Sequence, residues 1–128
     1  MKKTPKWILK KVLLLLQGEI LADHGGLEGL GDEGLLESAL ARPKNLFAHS
    51  SDVHIAQLAA SYCFGIIQNH PFLDGNKRTG FLSIGLFLEL NGKSLVADQI
   101  EAIEIIFALA AGEIDEKQLA EWIRVNMS

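Results

Sequence analysis

The chain has 128 residues and a mass of 14.0 kDa, 48% apolar and 22% charged, which fits one globular domain spanning residues 1–128 and leaves no room for a second. Twelve basic against sixteen acidic residues give a net charge of −4, which argues against a general nucleic-acid coat. The single cysteine, Cys63, excludes an internal disulfide or a cysteine-based zinc cluster and reads as a core residue in a reducing compartment.

Apolar residues recur at helical spacing almost throughout, and no Asn-Gly or Asp-Gly turn lies between alternating runs. Thr4 as N-cap with Pro5 at the first helical position predicts a first helix that runs to about His24, where Gly25-Gly26 stops it. Its apolar run Val12–Leu16 is too short for a signal peptide, so the segment reads as mature, cytoplasmic chain. Lys2, Lys3, Lys6, Lys10 and Lys11 read as its solvated face. After the loop GGLEGLGDEG, Asp32 caps a second helix, EGLLESALAR, expected to end before Pro43, with KNLFAHSS as a loop. Asp52 is expected to cap a third, VHIAQLAASYCFGIIQNH, apolar around most of its circumference and therefore central. It stops near His70 because Pro71 disfavours a helical residue before it.

A fourth helix, NKRTGFLSIGLFLELN, follows the loop PFLDG and ends at Gly92. Asp98 with Glu101 and Asp115 with Gln118 open two outer helices, QIEAIEIIFALAAG and EKQLAEWIRVN. The longest apolar run, Ile105 to Ala111, falls far short of the roughly 18 residues of a membrane span. The prediction is an all-α bundle of about six helices. Trp7 and Trp122 read as packing residues, and His24, His49 and His54 lack partners at metal-ligand spacing.

The string HPFLDGNKRT gathers His70, Asp74, Asn76, Lys77 and Arg78 between the two most apolar helices. Pro71 and Gly75 hold the turn, and the next helix offers unpaired backbone N–H groups from about Asn76. Such an N-terminus attracts anions, whereas Lys77 and Arg78 there oppose the macrodipole until a polyphosphate resolves the conflict. Asp74, the only carboxylate of the loop, is the candidate ligand for a Mg²⁺ that shares phosphate oxygens, Asn76 the candidate side-chain donor to phosphate, and His70 the candidate general base. Each residue alone has an ordinary explanation: a helix-ending cation, an N-cap, a solvated pair. Their conjunction on one short loop does not.

HPFLDGNKRTG resembles the signature of the Fic/Doc family, and specifically its Doc, or death-on-curing, branch. The segments GDEGLLESALARPKN, LAASYCFGIIQNHPF, FLELNGKSL and LAAGEIDEKQLAEWI resemble the corresponding Doc segments. The wider Fic motif reads His-x-Phe-x-(Asp/Glu)-Gly-Asn-Gly-Arg-x-x-Arg and belongs mostly to enzymes that transfer AMP from ATP. Here Lys77 replaces the second glycine and Phe81 the last arginine, departures that Doc-like proteins share. The resemblance implies a Fic/Doc-like fold, ATP bound in the reversed sense, and transfer of its γ-phosphoryl group to a Ser/Thr hydroxyl of elongation factor Tu. Carried over by position, His70 deprotonates that hydroxyl, Asp74 holds Mg²⁺, and Gly75, Asn76, Lys77 and Arg78 hold the phosphates. Two further positions differ from many Doc-like sequences: Gln17-Gly18 replaces a His followed by an acidic residue, and Gly31 replaces an Arg.

The leading expectation is a translation-blocking toxin of a toxin-antitoxin system. Self-restrained Fic enzymes carry a Ser/Thr-x-x-x-Glu-(Gly/Asn) helix, and the sequence contains none, so the resemblance implies a Phd-like antitoxin whose disordered tail folds in a groove near the site. An AMP transferase and a catalytically weak module that binds antitoxin or target are the alternatives. Neither direct nucleic-acid binding nor a membrane is expected.

Overall fold

A computed structural model describes residues 3–50 and 52–128; Met1, Lys2 and Ser51, with the expectations that fall on them, lie outside the described residues. Its six helices are α1 (Lys10–His24), α2 (Glu33–His49), α3 (Ile55–Asn69), α4 (Asn76–Leu90), α5 (Gln99–Ala110) and α6 (Glu116–Asn126). The all-α expectation holds. As its apolar circumference predicts, α3 is central and packs on α2, α4 and α6. Ala59, Ala60, Tyr62, Cys63 and Ile66 are wholly buried in it. The α3–α4 crossing is close because Gly80 carries no side chain: a Cβ there would lie 3.3 Å from the Cys63 carbonyl oxygen. That contact aligns the two helices that flank the motif loop.

The first helix starts later than its capping residues suggest. Leu9, not Thr4, is the N-cap, and residues 3–9 are non-helical. Long-range bonds outcompete the local cap. Lys6 gives its N–H to Asn91 Oδ1 (2.8 Å) and accepts from Asn91 Nδ2 (3.0 Å), Ile8 N–H donates to the Tyr62 hydroxyl (3.0 Å), and Trp7 stacks on Phe87. A helix over these residues would turn the same backbone groups inward on itself. Of the expected lysine face, Lys10 and Lys11 are helical, and Lys10 pairs with Glu33 and Glu37 of α2.

Asp32 caps α2 as expected, accepting from Leu35 N–H at 3.0 Å. The helix does not stop at Pro43 but runs through it to His49. Pro43 removes the bond to the Ala39 carbonyl, and packing offsets the loss. Leu46 and Phe47 lie against the core, Phe47 meets Trp7 edge-on, and Arg42 bonds Glu116 of α6 at 2.8 Å while covering the Phe64 ring.

The cap of α3 is His54 rather than Asp52. Its Nδ1 accepts from Ala56 N–H, while Gln57 Oε1 accepts from His54 N–H. Asp98 caps α5, but Glu101 does not complete the expected box; it accepts instead from Trp122 Nε1 at 2.7 Å and ties α5 to α6. The Asp115–Gln118 box is complete. Among the described residues no helix is long and apolar enough to cross a membrane.

Candidate active site

The motif loop spans residues 70–75 between α3 and α4, and backbone geometry punctuates it at both ends. His70 closes α3 in the left-handed region (φ 52°, ψ 53°), its N–H donating to the Ile66 carbonyl, and Gly75 (φ 78°) opens α4. Glycine takes that conformation freely, but histidine does so under strain. His70 is the only non-glycine residue with positive φ among those described, and such outliers concentrate at functional sites.

The glycine-rich loop runs antiparallel to the motif loop and fixes its path. Gly31 and Asp32 donate to the Pro71 carbonyl at 2.8 and 3.1 Å, and Leu73 N–H donates to the Gly29 carbonyl at 3.1 Å. Leu30 lies opposite Phe72, which is buried. The contact of Gly31 is thus made by its backbone. Gln17 is buried (1% exposed) and donates to the Asp74 carbonyl at 3.2 Å, so this departure serves loop packing. Beside it, Gly18 leaves space that the Glu28 carboxylate occupies.

His70, Asp74, Gly75, Asn76, Lys77 and Arg78 all border one cleft of about 390 Å³. The N–H groups of Asn76, Lys77 and Arg78 precede the first bond of α4, which runs from Thr79 N–H to the Gly75 carbonyl, and so have no carbonyl within the helix. The first turn of α4 contains no acidic residue. Lys77 and Arg78 are exposed, and Lys77 Nζ rests 5.7 Å above the centre of the Phe107 ring. Helix-start N–H groups with cations beside them and a histidine at the rim suit an anion.

Asn76 departs from its expected use. Its side chain is turned into the loop, with Oδ1 accepting from Phe72 N–H at 3.0 Å and Nδ2 lying 3.0 Å from the Phe72 carbonyl and 3.1 Å from His70 Nδ1. The side chain therefore braces the loop, and Asn76 can face an anion with its backbone N–H.

Asp74 Oδ2 accepts from Leu27 N–H at 2.7 Å, which leaves its other oxygen for a cation. Among the described residues no group of three or more His, Cys, Asp or Glu side chains forms a metal site. One carboxylate beside that helix start suits a Mg²⁺ that arrives with phosphate oxygens better than a resident metal.

The opposite wall of the cleft is absent from the motif. Ala102, Ile103, Ile106 and Phe107 of α5 face Phe81 of α4, the residue at the missing arginine's position. Ile103 and Phe107 remain more than half exposed. Their signal in the sequence was an apolar run whose outward positions are also apolar.

Comparison with known proteins bears on the same residues. The model of the Fic/DOC family matches residues 7–88, from Trp7 to the last turn of α4. Protein kinase doc of Escherichia phage P1 is 31% identical over 112 residues, 88% of each chain. Toxin Doc of Mycolicibacterium smegmatis is 36% identical over 75 residues, 58% of each chain. With the motif, its loop geometry and these matches together, the chain belongs to the Fic/Doc family, on the side of its Doc toxins.

Proposed function

We propose that this Doc-like toxin is a protein kinase that moves the γ-phosphoryl group of ATP to a Ser/Thr hydroxyl of elongation factor Tu and so blocks translation. The observation that carries the reading is the cleft at the start of α4, where unpaired N–H groups, Lys77 and Arg78 converge with His70 at the edge. In the transfer, the hydroxyl gives its proton to His70, its oxygen bonds to the γ-phosphorus, and ADP departs with the electrons of the broken P–O bond. Gly75 lets the backbone turn toward the phosphates, while the N–H groups of residues 76–78 and the two cations hold them. Asp74 would hold a Mg²⁺ brought in with the nucleotide, which would supply neutralisation of the developing charge. Phe81 gives the cleft an apolar wall where AMP transferases of the family carry an arginine, which favours phosphoryl over AMP transfer.

The partner that restrains the toxin is a Phd-like antitoxin. The exposed apolar residues Ile103 and Phe107 of α5, which line the cleft, suit the apolar face of a helix that folds on binding. The test is incubation of the protein, and of His70→Ala, with bacterial lysate and ATP labelled at the α- or γ-phosphate. A band of elongation-factor size labelled only from γ, and absent with the variant, is the expected result. Label from α assigns AMP transfer. Growth arrest without label from either assigns the binding-module alternative.

A further inference from the structure

Two of the three polar contacts of Asn76 are to backbone groups of known polarity. Phe72 N–H can only donate and the Phe72 carbonyl can only accept, so Oδ1 must face the first and Nδ2 the second, at 3.0 Å each. Turning the amide over would set donor against donor and acceptor against acceptor. With one Nδ2 hydrogen on the Phe72 carbonyl, the other points to His70 Nδ1, 3.1 Å away. That nitrogen must accept, so the proton of the neutral ring sits on Nε2.

We infer that Asn76 is a positioning residue that fixes the Nε2–H tautomer of His70 and covers its basic lone pair, so that the ring becomes a base only when the Asn76–His70 bond opens. This rests on the reading of His70 as the base. A neutral imidazole has one lone pair in its ring plane, and here it lies under the Asn76 amide. In the resting protein the uncovered nitrogen carries an N–H, a donor suited to an oxygen anion rather than an acceptor for a hydroxyl proton. The arrangement is the reverse of one in which a carboxylate takes the Nδ1 hydrogen and leaves Nε2 bare. Buried at 4% exposure and braced by Phe72, Asn76 holds this state without help from substrate.

The test is ¹⁵N NMR of the whole protein with labelled histidine, at a pH where the ring is neutral, with the His70 signals assigned by their loss in His70→Ala. A protonated Nε2 and a pyridine-type Nδ1 are expected. A protonated Nδ1, or averaging between tautomers, overturns the proposal. Asn76→Asp replaces the donor by an oxygen that accepts from Nδ1–H and should invert the pattern, and Asn76→Ala should release the ring to averaging. An unchanged tautomer in a folded variant overturns the role of Asn76, and the parent spectrum decides if neither variant folds. The spectrum is independent of the labelling experiment. Nε2–H without transfer removes the kinase reading and keeps the tautomer; transfer with Nδ1–H does the converse.

Discussion

The Asp74 carboxylate accepts a hydrogen bond from Leu27 N–H at 2.7 Å, so one side chain serves both the glycine-rich loop and the proposed cation. Asp74→Asn keeps an acceptor for Leu27 and removes the charge. Its stability, read from denaturant midpoints, should stay within about 1 kcal/mol of the parent. Transfer of γ-label should fall on the order of 10²-fold or more, as loss of several kcal/mol of charge stabilisation requires. Asp74→Ala should lose both.

His70 occupies the left-handed region with a side chain, which costs of order 1–3 kcal/mol. His70→Gly sheds that strain but loses the Asn76 contact and adds the entropy of glycine, so its stability should stay within about 1 kcal/mol of the parent. His70→Ala loses the same contact and keeps the strain, so it should be the less stable of the two. Both should be inactive. Thermal melts beside the labelling experiment read the two quantities separately.

Thr79 is wholly buried in the first turns of α4, and its hydroxyl has no hydrogen-bond partner among the described residues. Thr79→Val keeps the shape and removes the unsatisfied group. Chemical denaturation should show a gain of about 1 kcal/mol, whereas Thr79→Ala should show a loss through the cavity it leaves.

Burial pushes the Cys63 thiol far up and the Tyr62 phenol up to about 12, the latter partly countered by the N–H of Ile8. Both folded-state groups hold their protons longer than the unfolded chain, which releases them near pH 8.5 and 10. Stability should therefore be insensitive to these groups below about pH 8 and fall as pH climbs from about 8.5 through 12, by at most about 1.4 kcal/mol per pH unit for each group. Denaturant midpoints between pH 7 and 11 check this. Cys63→Ala should flatten the lower part of the fall and Tyr62→Phe the upper.

The sequence disclosed most where the determinants are local. Pro71 and Gly75 mark the motif loop, Asp32 and Asp115 cap their own helices, and the apolar circumference of α3 reports its central place. It disclosed least where a partner lies far along the chain. Lys6 is drawn out of a helix by Asn91, 85 residues away, and Ile8 by Tyr62, 54 away. Pro43 stays helical because Phe47 beyond it meets Trp7. At the site, the motif named the residues of one wall but not the direction of the Asn76 side chain, since an amide can serve its own loop or a ligand with equal chemistry. Ile103 and Phe107 of the facing wall are not legible in the sequence, because an outward apolar residue in an apolar helix is indistinguishable by spacing from a core residue.

The two walls of the cleft are held in different ways. On one side, the bare Cα of Gly80 seats α4 directly on the Cys63 carbonyl, so this wall is anchored in the most densely buried part of the molecule. On the other, α5 is fastened to α6 through Glu101 and Trp122 and rests on Ala102, Ile106 and Leu109, while its remaining face meets water. The cleft thus joins a wall seated in the core to one that Glu101 ties to α6 and that Phe107 brings against Lys77 of the motif.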